Sequence, residues 1–209
     1  MGKLWKHNHT IEKKKLKSMN TEKLNALKEQ AYKTAVEHGF HEDVKPDAFY
    51  LGLVMSEAGE AINADRKGLH ADAKGFEEDE ANGLPFAESF KKNVKDSVED
   101  EIADIVIRLL DFAGLKEYEL SISPCRMQIN FVFLWVLKKC GLSGVLFQLM
   151  WALSDTFGQE ATGLCICSLI CIFSDNFETT TGSDRDLWWF VERKMKYNEQ
   201  RPMLNGKKY

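Results

Sequence analysis

The feature that most restricts how this chain can fold is a pair of acids set in an apolar face, and it occurs twice. Around 47–67, Leu53, Ala61 and Ala64 recur at helical spacing. Glu57 and Glu60 fall on their face, with Arg66 opposite. A helix turns about 100° per residue, so both carboxylates lie inside the stripe that should meet a core. From Ser97 to about 113 the pattern repeats. Glu101 and Asp104 share a face that Arg108 and Asp111 continue, flanked by Ile105, Leu109 and Phe112, while Ile102, Val106 and Leu110 cover much of the rest.

Buried carboxylates without partners cost several kcal/mol each, and crowding four of them adds like-charge repulsion. Protonation, a salt-bridge network with Arg108 as a partner, or a divalent cation would offset this. Mg²⁺, with Mn²⁺ as a substitute, prefers carboxylate and water oxygens. Two acids at i and i+3 on each of two facing helices supply such a set. A ferritin-like di-iron centre needs Glu-x-x-His, which neither segment has, so a hard, non-redox ion fits better.

The remaining segments are also helical in pattern. Thr21 is an N-cap candidate for a helix over about 22–38, which Gly39 ends. The second helix spans about 47–67 and stops at Gly68. Ser97 caps the third, with Asp100 in position to close a capping box and Gly114 to stop it. After Pro124 come apolar helices at about 125–140, 143–157 and 160–175, punctuated by Gly141, Gly158 and Gly163. A last helix covers about 184–200. No stretch alternates like a strand. The expected fold is an all-α, oligomeric helical bundle with a carboxylate metal site between helices. Its parts are a basic tail at 1–20 and a single domain over 21–209, with a long loop at 69–96 and an apolar helical insert at about 115–183. The loop carries the acidic run Glu77-Glu78-Asp79-Glu80, read as solvated surface.

A net charge of -4 gives no basic field for a nucleic-acid polymer. No apolar run reaches the length of a membrane span. Five cysteines, three of them in the apolar run 164–173, read as buried thiols in a reducing cytoplasm.

Ser56-Glu57-Ala58-Gly59-Glu60-Ala61, followed by Asp65-Arg66-Lys67-Gly68, resembles the Glu-x-x-Glu motif of the MazG-like nucleotide pyrophosphohydrolases, in the all-α NTP pyrophosphatase superfamily. Glu101-Ile102-Ala103-Asp104 with Ile105-Val106-Ile107-Arg108 resembles their Glu-x-x-Asp motif. His38-Gly39-Phe40-His41-Glu42 and the end of the chain (Lys194-Met195-Lys196-Tyr197-Asn198, Arg201-Pro202, Gly206-Lys207-Lys208-Tyr209) are similar to one branch of that family. The resemblance covers 21–114 and 184–209. The middle, about 115–183, matches nothing in it, and the spacer between the two motifs is longer than in the family.

The resemblance implies hydrolysis of a nucleoside triphosphate to monophosphate and pyrophosphate, in a homodimer or homotetramer. It makes Glu57, Glu60, Glu101 and Asp104 the Mg²⁺ ligands. Glu57 or Glu60 would orient or deprotonate the attacking water. Lys194, Arg201, Lys207 and Lys208, with Arg108 behind them, would neutralise the departing pyrophosphate, and Asn198 would bond a phosphate or sugar. Asp111 reads as an ordinary partner of Arg108, His38 and His41 as surface-loop residues, and at least one of Trp188 and Trp189 as packing. A non-catalytic helical interaction module and a Mg²⁺-dependent phosphodiesterase are the competing readings.

Overall fold

A computed structural model describes residues 19–43, 45–122, 135–148 and 159–202, and every regular element among them is a helix. In chain order these are α1 (Thr21–Glu37), α2 (Asp47–Lys67), α3 (Ala73–Ala81), α4 (Phe86–Asn93), α5 (Val98–Leu115), α6 (135–148), α7 (Gln159–Thr181) and α8 (Leu187–Glu199). None is long and apolar enough to cross a membrane.

α5 is the axis of the molecule. Ile102, Ile105, Val106, Leu109, Leu110 and Phe112 lie on one side of it and are all fully buried, with Glu101, Asp104 and Asp111 on the other. It packs against α1, α2, α7 and α8. The approach of α1 is close: a Cβ on Gly114 would stand 2.5 Å from the Cβ of Tyr32, so only glycine fits there. Gly68 ends α2 in the left-handed conformation at φ 65°, as expected of it.

Several boundaries differ from the sequence reading. Asn20, not Thr21, caps α1, its side chain accepting from Lys23 N at 2.7 Å; of two cap-competent neighbours the stronger one is used. Ser97 caps α5 as expected, accepting from Asp100 N at 3.2 Å. The Asp100 carboxylate reaches back to Asp96 N at 3.0 Å, so the box closes one residue earlier than expected.

The long loop at 69–96 is instead a pair of helices. Asp72 caps α3 by accepting from Gly75 N at 2.8 Å, and Pro85 sets the start of α4. The fully buried Phe76 and Phe90 anchor the pair, and Phe90 stacks on Tyr197 of α8 at 4.7 Å. The acidic run is largely exposed as read, apart from the half-buried Asp79. In the insert, Gly141 takes the left-handed conformation at φ 66° and breaks the helical run as expected, whereas Gly163 lies inside α7 and does not end it. A helical glycine costs about 1 kcal/mol, which at Gly163 the burial of neighbours such as Ile166 and Ile170 outweighs. Gly158, Cys125 and the tail at 1–18 lie outside the described residues.

Candidate functional site

α2 and α5 lie side by side, and their acids meet between them. One carboxylate oxygen from each of Glu57, Glu101 and Asp104 lies within 4.8 Å of the others. Asp96, Asp100 and Glu101 form a second group of the same kind, so Glu101 belongs to both. Glu60 is exposed and joins neither group, but it lines the same cavity, which holds about 260 Å³. Arg108, Lys194, Asn198 and Arg201 line it as well. Lys207 and Lys208 lie outside the described residues.

The cations stand among the acids. Arg108 Nε donates to Glu57 Oε1 at 3.1 Å, and its guanidinium lies over the Phe40 ring at 5.5 Å. Lys194 is buried, with its Nζ 2.7 Å from Oδ2 of both Asp100 and Asp104. Its ammonium is thus committed first to carboxylates, where a phosphate partner was expected. Two of its three N–H donors are used.

The electrostatics follow from burial and crowding. Burial, reinforced by Asp104 and opposed by Arg108, raises the Glu57 carboxyl above its ordinary range. Burial pushes Asp100 up to about 6 against the pull of Lys194. Glu101, buried beside Asp104 and Asp100, is pushed up to about 8. Burial works against the Lys194 ammonium, but Asp104 and Asp100 outweigh it and raise its pKa.

When all four are ionised, the carboxylates of Glu57, Asp100, Glu101 and Asp104 outnumber the two cations, Arg108 and Lys194, by two charges. A divalent ion would balance them. Two buried oxygens here, Asp100 Oδ1 and Asn198 Oδ1, have no hydrogen-bond partner.

Three expectations are corrected. Asp111 does not pair with Arg108: its Oδ1 lies 2.7 Å from His41 Nε2. His41 is no surface residue, since its side chain is 5% exposed and packs between Tyr32 and Tyr50 at 5.3 and 5.5 Å. His38 is half-buried and spends both ring nitrogens on main-chain carbonyls, Thr34 O at 2.8 Å and Arg201 O at 3.0 Å. Trp188 is packing, as read for one of the pair, and its Nε1 donates to Ser174 Oγ at 2.8 Å. Trp189 packs on Phe76 and under Arg193.

Sequence reasoning missed Asp96 and Asp100 as members of the site. Asp100 carried a signal, because it precedes Asp104 by four residues and so shares its face; it was spent on the capping box. Asp96 had none, since its place depends on a left-handed backbone at φ 62°. Compared with known protein families, curated proteins and solved structures, the chain finds no match to any of them.

Proposed function

We propose that this chain is a Mg²⁺-dependent nucleoside triphosphate pyrophosphohydrolase of the MazG-like kind. The observation that carries the reading is the group of Glu57, Glu101 and Asp104 at a cavity also lined by Arg108, Lys194 and Arg201. Acids alone would repel a triphosphate, and cations alone would not collect four carboxylates.

Glu57, Glu101 and Asp104 would hold the ion, with Glu60 reaching in from the exposed side. When bound, Mg²⁺ supplies charge neutralisation and Lewis acidity at the α-phosphate. Glu60 is exposed and unshared with Arg108, so it takes the proton of the attacking water. The water oxygen bonds to the α-phosphorus, the α–β bridging bond breaks, and pyrophosphate leaves with the bridging electrons. Arg201 and the third N–H of Lys194 neutralise that charge, and Arg108 draws Glu57 toward its ionised form against burial. Asn198 offers its buried, unpartnered amide oxygen to a sugar or base donor.

The test is product analysis. The protein is incubated with a panel of NTPs and dNTPs, in Mg²⁺ or EDTA, beside a Glu57→Gln/Glu60→Gln variant. Metal-dependent monophosphate plus pyrophosphate, lost in the variant, is expected. Orthophosphate plus diphosphate would overturn the assigned bond.

The second reading, a non-catalytic module whose acids form an ion-pair network, rests on the Arg108–Glu57 and Lys194–Asp104 pairs. The two unbalanced charges weigh against it, and turnover of no nucleotide would favour it. The proposal includes a homodimer or homotetramer. Its support is large apolar side chains left exposed on α6 and α7, namely Trp135, Phe147 and Leu164, each more than 60% accessible. Sedimentation at micromolar concentration checks it, and a stable monomer would sink it.

A further inference from the structure

Two carboxylate groups that share one member are the donor arrangement of a two-metal centre, whose ions stand about 3.5–4 Å apart. Here the groups are Glu57/Glu101/Asp104 and Asp96/Asp100/Glu101. α8 inserts Lys194 between them, its Nζ 2.7 Å from Asp100 Oδ2 and 2.7 Å from Asp104 Oδ2. We propose that the Lys194 ammonium stands in for a second metal ion and limits the centre to one divalent cation per chain, with Asp104 held between the two charges. The inference rests on the metal reading above.

Three observations carry it. The first is space. Lys194 is 4% exposed and its ammonium is in hydrogen-bond contact with both carboxylates, so a metal could bind that oxygen pair only by displacing it. The second is access. Asp100 Oδ2 already accepts from Lys194 and from Asp96 N at 3.0 Å, and Asp100 does not line the cavity, whereas Glu57, Glu101 and Asp104 do. An ion entering by the cavity meets the first group complete and the second with a member missing. The third is charge. Asp96, the one member of the second group outside the buried set, is paired with Lys95, so with Arg108 and Lys194 in place one divalent ion neutralises the ionised carboxylates and a second would leave positive charge in excess. Lys194 is therefore a positioning residue: it fixes Asp104 toward the metal through a charge that does not depend on metal supply.

The test counts ions. The full chain is titrated with Mn²⁺ without nucleotide, and free Mn²⁺ is followed by electron paramagnetic resonance. Wild type is expected to bind one ion per chain, Lys194→Arg one, and Lys194→Met two, the second showing spin coupling to the first. Two ions in wild type overturn the proposal and leave the metal reading standing. No ion in wild type removes both. One ion in a folded Lys194→Met overturns the limiting role. If Lys194→Met does not fold, Lys194→Met/Asp100→Asn removes the stranded charge as well. That double variant is expected to keep one ion at wild-type affinity, and loss of the ion would overturn the proposal by making the Lys194–Asp100 pair part of the metal site.

Discussion

α2 and α5 both deliver acids to one cavity, but they solve the problem of a buried negative charge differently. Glu57 and Glu60 sit mid-way along a 21-residue helix, out of reach of either helix end. Glu57 is held by Arg108, and Glu60 is relieved by water. On α5, Asp100 and Glu101 lie in the first turn, where free N–H groups and the helix dipole favour negative charge by about 0.3–1 kcal/mol each. That help is not enough, because Glu101 is still pushed up to about 8 by burial and by its neighbours. On α2 Arg108 offsets part of the burden on Glu57, whose carboxyl burial still raises, and the exposed Glu60 carries little. The α5 set is left needing a cation.

The largest effect that tests this contrast is on turnover. Glu101→Gln and Glu60→Gln are each expected to lose nucleotide hydrolysis by on the order of 10²–10³-fold. They should part on stability. In EDTA, Glu101→Gln is expected to raise the melting temperature, because it removes a carboxylate that the metal-free fold holds at a cost. Glu60→Gln, exposed, should stay within about 0.5 kcal/mol of wild type. If both variants melt alike in EDTA, the two helices do not differ as described. Calorimetry and product analysis on the same samples decide it.

A smaller effect isolates α2. Arg108→Met leaves Glu57 buried with its cation gone, and is expected to destabilise the protein by about 1–3 kcal/mol. Adding Glu57→Gln should recover most of the loss, because the stranded charge is then absent. Denaturant titrations of the two single variants and the double close the cycle. Additive effects would mean that Arg108 and Glu57 are neighbours without coupling.

How far sequence reached follows the same division. The helical fold, the ends of α2 and the inward place of Glu57 and Glu101 were legible, because they depend on periodicity within single helices, whereas Glu60, read into the same inward stripe, is exposed. Arg108 was expected among the buried acids and pairs with one, but that it turned to Glu57 and not to Asp111 was not legible, nor that Lys194 turned to Asp100 and Asp104, because partner choice is fixed by how α8 and α2 pack on α5. The helices at 73–81 and 86–93 were hidden by Gly75, Gly83, Pro85 and the acidic run, while the deciding contacts (Phe76 on Trp189, Phe90 on Tyr197) are to residues more than a hundred positions away. His41 was hidden for the same reason, since its burial between Tyr32 and Tyr50 exists only once α1 and α2 are docked.

The smallest effect is a slope, and it bears on α5 alone. The ordinary values of Glu101 and Asp100 are 4.5 and 3.8, and the fold raises them to about 8 and about 6. The folded chain therefore holds protons that the unfolded chain has released, so stability falls as pH climbs. The stabilisation is complete below the ordinary carboxylate range and is lost through about pH 6 for Asp100 and about pH 8 for Glu101. In EDTA the melting temperature should decline steadily between pH 5 and pH 8.5. Mg²⁺ competes with those protons, so its stabilising shift should be larger at pH 8 than at pH 5.5. Thermal scans over that range, with and without Mg²⁺, measure both. A flat EDTA curve that Mg²⁺ does not move would mean that Lys194 and Arg108 already satisfy the α5 acids, and the need for a cation that separates α5 from α2 would be gone.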